Sequence, residues 1–335
     1  LFSWHWIFFI NVPIGFGLIW LIGRYLIEEK RPKTNKKMDM LGSLMSMMML
    51  MFFLIGIQYL GDEGLSLRVG TFFLISLIGL VVFIQVEKRA EDPLISLELF
   101  RNRTFVVVNL VAALVSGFLM GVEVYIPMWM QGVLGMSAAI GGLILAPQSI
   151  RWGYGSSVAS NWLTIFSLRK NLLIALLVTL IGGTLLFLMP FATPFYIFFV
   201  ISAVIGTGMG ATIVITTVSA QNSVPHKQLG VATSFNTLAK TLGQTMMIAV
   251  FGIIFNAATA KELTKLTIAV PEDAMNQLVN PHTAKLLPTE SLQALRHVLY
   301  QGLHSIYGVA ILLVIVAIVS ALTLTQKTGT IRTNK

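Results

Sequence analysis

WHWIFFINVPIGFGLIWLIGRYLI, residues Trp4 to Ile27, is the stretch whose reading decides the fold. No Asp, Glu, Lys or Arg interrupts it before Arg24, and Glu28 to Lys37 behind it is a polar tract with five basic residues. About twenty apolar residues, rising about 1.5 Å each, cross the roughly 30 Å hydrocarbon core of a bilayer. The stretch therefore predicts a transmembrane helix over 4–27. It lacks a basic leader and has full spanning length, which argues against a cleavable signal peptide. The chain opens on Leu1 at the very start of this helix, so further residues are expected before it.

Outward from this stretch the same pattern repeats. Of 335 residues, 56% are hydrophobic and 11% charged, against about 25% charged in a soluble globular domain; mean hydropathy is +0.81. This composition reads as an all-α polytopic membrane protein whose first partner is the lipid bilayer. Nine spans are expected, at 4–27, 39–60, 68–87, 104–130, 138–160, 170–190, 194–219, 230–257 and 303–325. The net charge of +9 is no nucleic-acid footprint, because Lys and Arg sit in short clusters between apolar runs, where they set membrane orientation. Absence of Cys excludes a disulfide framework, iron–sulfur ligation and thiol catalysis.

If the spans alternate, the basic clusters around 24–37, 88–103, 169–170, 227 and 327–335 all fall on one side. The opposite side holds Arg68 and four residues of one long loop, Lys261, Lys265, Lys285 and Arg296. By the positive-inside rule the clustered side is cytoplasmic, and so is the C-terminus. Between the third and fourth spans, EKRAEDPLISLELFRNR reads as an amphipathic segment over 88–103, its apolar side against lipid or the helix ends. The stretch 258–302 is polar enough for a long outer loop and contains helix-like pieces such as Glu290 to Tyr300.

Several stretches together carry a resemblance. WHWIFFINVPIG at 4–15, with Trp4, Trp6, Asn11, Pro13 and Gly15, resembles the signature of the sixth helix in fourteen-helix drug:proton antiporters of the QacA/EmrB type, within the major facilitator superfamily. DMLGSL at 39–44, PLISLELFRNRTF at 93–105, QGVLGMSAAIGGLILAP at 131–147 and VPHKQLGVATSFNTLAKTLGQ at 224–244 resemble the same family in the same order. The resemblance implies a partial major facilitator fold with about nine transmembrane helices. Residues 1–27 become the last helix of an incomplete N-terminal bundle, 28–38 a basic cytoplasmic loop, 39–87 two linker helices, and 104–335 a C-terminal six-helix bundle with a cytoplasmic tail. The N-terminal bundle is then the missing partner, and a bacterial-type plasma membrane the location. The implied activity is export of small lipophilic or cationic compounds against a flow of protons, with no cofactor; residues 1–335 are expected to be inactive alone. Two departures from the family pattern are His5, where relatives commonly have Arg, and Arg151, in a helix that is usually apolar or small there. A truncated scaffold without transport, and an exporter of lipid or peptide, remain open alternatives.

Glu123 is the one carboxylate deep inside a span, about 10 Å below the outer end of its helix. An ionised acid costs at least about 3 kcal/mol at the bilayer centre, so it faces a cavity or a partner. It is read either as a proton-coupling or cation-recognising group, or as a structural acid paired with a neighbouring helix. Arg151 in the next span is a candidate partner, its depth differing by about 9 Å, which a long side chain partly closes. Tyr125 and Trp129 form either an aromatic wall for an organic cation or an interfacial belt. Gln131 and Lys240 join them as substrate-cavity candidates; the Lys240 amine either snorkels to the cytoplasmic face or lines the inner vestibule. Glycines at 141, 142, 153, 155, 206, 208 and 210 suit close packing or a gating hinge. The five His residues show no metal-ligand clustering and no phosphate-binding loop occurs, so neither an enzyme nor direct use of ATP is expected.

Overall fold

The computed structural model describes residues 6–26, 40–89, 97–266, 274–280, 283, 284 and 287–325. In hydrocarbon every backbone N–H and C=O must be satisfied within the segment, so the apolar runs become helices. In chain order these are α1 (Trp6–Tyr25), α2 (Met40–Glu63), α3 (Leu67–Glu87), α4 (Arg103–Met128), α5 (Ala138–Leu143), α6 (Ala146–Trp162), α7 (Leu168–Phe187), α8 (Phe195–Asn222), α9 (Leu229–Leu263), α10 (Ala274–Val279) and α11 (Thr289–Leu322). Seven of them, α2, α3, α4, α7, α8, α9 and α11, are long and apolar enough to cross a membrane. With α1 and the α5–α6 pair they account for the nine expected spans.

The chain divides into two compact units, Leu1–Met38 and Asp39–Lys335. The first consists of α1, an apolar helix with Pro13 inside it and open space around Gly15. Trp4, His5 and the basic tract at 28–38 lie outside the described residues, as does the tail from 326.

In the second unit α2 and α3 form a hairpin. Ser66 caps α3 by accepting from the Val69 N–H, Ser76 Oγ donates to the Met49 carbonyl at 3.0 Å, and Tyr59 stacks on Phe72 at 5.5 Å. The hairpin meets α9 where Gly61 lies against Ala249. The remaining helices build one bundle around Phe118, Ile126, Trp129, Leu172, Phe198 and Phe251, all almost completely buried. Of the amphipathic segment expected at 88–103, residues 88, 89 and 97–103 are described. It ends in a short 3₁₀ turn, Leu97–Arg101, that buries Leu99 against Phe105, Ala220 and Ala232, so its apolar side meets helix ends. Asn102 then caps α4, accepting from Thr104 N–H and Phe105 N–H, while its amide donates to the Ser223 carbonyl at 2.8 Å.

Two spans depart from the sequence reading. The fifth, expected as one helix over 138–160, is broken by a turn at Ile144 and Leu145; Pro147, which has no N–H to give to the preceding turn, then sits at the start of α6. The ninth is expected from 303 but α11 starts at Thr289, because Leu295, Leu299, Leu303 and Ile306 are all buried at helical spacing and carry the apolar stripe across the expected loop boundary. The stretch 258–302 thus holds the end of α9, the short α10 and the first turns of α11.

The glycines sort by what lies above them. An added Cβ at Gly206 would overlap the Gln148 carbonyl, at Gly155 that of Thr207, and at Gly210 that of Trp152, so α6 and α8 touch backbone to backbone. Gly243 on α9 meets the Ala113 carbonyl of α4 in the same way. Gly142 and Gly153 face open space. We expect Gly206→Ala to destabilise the bundle by about 1–3 kcal/mol through overpacking. Gly153→Ala should be neutral or stabilise by up to about 1 kcal/mol through helix propensity. Thermal unfolding of the detergent-solubilised chain, followed by Trp fluorescence, measures both; equal behaviour of the two variants would contradict the packing role.

Candidate functional site

The bundle presents Glu123 and Val124 on an exposed strip of α4, while Val122, Tyr125 and Ile126 turn inward and take the buried positions. Its neighbour across the helix gap is Gln148 of α6, whose Nε2 donates to Glu123 Oε1 at 3.5 Å. Gln148 is itself buried, and its own Oε1 has no hydrogen-bond partner among the described residues. The Gln148 backbone is held in place by the contact with Gly206.

Arg151 does not pair with Glu123. Its Nε donates to Thr207 Oγ1 of α8 at 3.2 Å, and its guanidinium lies 4.3 Å from the centre of the Tyr154 ring. Helical geometry explains this: three residues along from Gln148, Arg151 is rotated by about 60° from the line toward α4. Arg151 and Tyr154 are both exposed, so a cation and an aromatic ring stand on α6 beyond the carboxylate.

The aromatic candidates lie inside. Tyr125 is buried between α4 and α9, with the rings of Phe251 and Phe255 each 6.1 Å away. Trp129 is neither an interfacial ring nor part of an open wall: it is wholly buried, surrounded by Phe198, Tyr300, His304 and Tyr307 at 5.3 to 5.9 Å. Trp129 continues at α-helical spacing the buried stripe of Val122, Tyr125 and Ile126, its N–H still bonded within α4, so the helix itself turns the indole inward before the π-type turn Trp129–Val133 closes the element. Tyr300, His304 and Tyr307 lie on the α11 stripe, which begins well before the apolar run at 303. Gln131 donates to the Pro127 carbonyl at 3.3 Å and lines a cavity of about 660 Å³ with Met128, Ser137, Phe255, Met275 and Val279.

Lys240 sits in α9 and donates from Nζ to Thr217 Oγ1 of α8 at 3.1 Å. Behind it runs a chain of polar groups absent from the sequence candidates. The Thr217 hydroxyl is 3.0 Å from Asn236 Oδ1, Asn236 Nδ2 donates to Asn109 Oδ1 at 3.0 Å, and Asn109 Nδ2 donates to the Phe105 carbonyl at 2.8 Å. Asn109 and Asn236 are buried, and they tie α4 to α9. The signal available in the sequence was two amides within long apolar runs, groups that must find partners once water is gone.

Residues 1–248 match the family described as the Major Facilitator Superfamily. The chain is 26% identical over 349 residues to Multidrug transporter protein MdtP of Bacillus subtilis (strain 168), covering 96% of the chain and 64% of that relative. To Multidrug resistance protein 3 of the same organism it is 30% identical over 254 residues, 75% of the chain and 49% of the relative. To Quinolone resistance protein NorB of Staphylococcus aureus (strain MRSA252) it is 26% identical over 262 residues, 76% and 56%. The chain thus spans about half to two thirds of the length of these relatives. The all-α bundle with its broken fifth span and the match over residues 1–248 lead to one conclusion: this multi-pass membrane protein belongs to the major facilitator superfamily.

Proposed function

We propose that the chain supplies the C-terminal six-helix bundle, two linker helices and one further helix of a fourteen-helix drug:proton antiporter that exports lipophilic or cationic compounds by alternating access. The basic clusters support a cytoplasmic position for the ends of the bundle at which α4, α7 and α9 begin. Relatives named for multidrug transport and drug resistance support the substrate class. Rocking of this bundle against a second one would alternate access to a site near the midplane.

The observation that carries the reading is the Glu123–Gln148 contact. A carboxamide offers a donor and an acceptor. Gln148 gives its N–H to the ionised Glu123, and its unused Oε1 can take the proton of the neutral acid after a side-chain turn. The same neighbour thereby serves both protonation states, which a Lys or Arg partner would not do. An ionised Glu123 on an exposed strip also attracts an organic cation, so proton and substrate compete for one carboxylate.

In a full-length transporter carrying this chain, Glu123→Gln should reduce proton-driven efflux of a lipophilic cation to background while protein level and melting temperature stay unchanged. Efflux that keeps its dependence on the proton gradient would remove Glu123 from the mechanism. Alternating access also requires a facing bundle, and the described residues from Asp39 onward build one bundle. Cells expressing residues 1–335 alone should show no efflux above the empty-vector control, and robust proton-dependent efflux from them would overturn that requirement.

A further inference from the structure

Every intramembrane charge needs a reason, and the transport cycle proposed above uses only Glu123. Lys240 is a second one. Gly243 packs on Ala113 and Met247 on Gly117, so α4 and α9 run parallel in fixed register. Lys240, three residues before Gly243, is therefore level with about residue 110 of α4, and Glu123 lies about 20 Å further along the axis. The two charges are too far apart to compensate each other. Among the described residues no carboxylate lies within 4 Å of Lys240.

Lys240 donates to Thr217, whose one hydroxyl proton has the Ile213 carbonyl at 2.8 Å and Asn236 Oδ1 at 3.0 Å as acceptors; Asn236 donates to Asn109, and Asn109 to the Phe105 carbonyl. One N–H of the ammonium is thereby engaged and its position is fixed. The other two have no protein acceptor among the described residues. A half-buried ammonium held by one hydroxyl, with no carboxylate within 4 Å among the described residues, can receive an anion.

The structure assigns Lys240, seated by Thr217 and the Asn236–Asn109 pair, as an anion-binding site in the inner half of the bundle, taking the carboxylate or phosphate of an amphiphile. The site itself follows from the side-chain arrangement; giving its anion to an exported compound rests on the transporter reading. Glu123 and Lys240 then select opposite charges at different depths, and the range of ligands extends from cations to zwitterions and anionic amphiphiles.

The test is equilibrium binding to the full chain in phosphatidylcholine nanodiscs, read by fluorescence polarisation without transport. The probes are a rhodamine with a free carboxylate and the same dye as its methyl ester. Lys240→Met should weaken the acid about tenfold or more, the size of a lost charge-assisted bond, and leave the ester within about twofold. Lys240→Arg should keep the preference for the acid. The ester in the same variant controls for damage to the fold. Equal weakening of acid and ester, or weakening of neither, overturns the site. A parallel set with phosphatidylglycerol in the bilayer separates the sources. Suppression of acid binding in the unmodified chain makes a lipid headgroup phosphate the resident anion, and undiminished binding makes it the carboxylate of a soluble amphiphile. Because no transport is measured, a failed efflux experiment leaves this result standing, and a failed binding experiment leaves the role of Glu123 untouched.

Discussion

Close backbone contact between α6 and α8 is the constraint on which the bundle depends. In a bilayer, apolar helices gain nothing by hiding from an equally apolar solvent, so association has to come from packing and from hydrogen bonds between helices. Gly155, Gly206 and Gly210 allow the carbonyls of Thr207, Gln148 and Trp152 to occupy the space a side chain would fill. Larger residues there would force the helices apart. The effect reaches the site directly, because the carbonyl resting on Gly206 belongs to Gln148, and Gln148 is the residue that meets Glu123. The close packing therefore positions Gln148 against Glu123.

Glu123 and Lys240 share a second property: each has a neutral polar neighbour. Glu123 meets an amide and Lys240 meets a hydroxyl. Had Arg151 reached Glu123, a pair of that kind would have been hard to open, since separating it leaves an uncompensated charge in low dielectric. A neutral neighbour orients the charged group and asks for less on release. The geometry of α6 decides the matter: Gln148 lies on the side toward α4 and Arg151 is turned to Thr207.

Much of the fold was legible because a bilayer permits so little. Length and hydropathy of the apolar runs fix where helices must be, and each expected span is matched by helix. What escapes a reading of the sequence depends on contacts between distant residues. Pro147 marks a disturbance in the fifth span, but placing the break at Ile144 and Leu145 needs the packing around it. The last helix begins earlier than its apolar run suggests, because polar residues between Leu295 and Leu303 mask a buried stripe of correct period. The sequence leaves Trp129 either in an interfacial belt or in an aromatic wall; its burial needs the facing rings of Phe198, Tyr300 and Tyr307, which come from distant helices. Glu123 was legible as a lone acid in an apolar helix. Its partner Gln148 was not, nor was the Asn109–Asn236 contact, whose members are separated by 127 residues.

The register between α4 and α9 adds a mechanical consequence. Ala113 meets Gly243, Gly117 meets Met247, Gly121 meets Phe251 and Tyr125 stands beside Phe255, with the same offset in every pair. The Asn109–Asn236 bond pins the same seam at its other end. Two helices locked along four turns cannot slide past each other without breaking all these contacts at once. Glu123 and Lys240, one on each helix, thus keep a fixed axial separation of about 20 Å. In an alternating-access cycle carried by rigid-body rocking, both charges must then turn together.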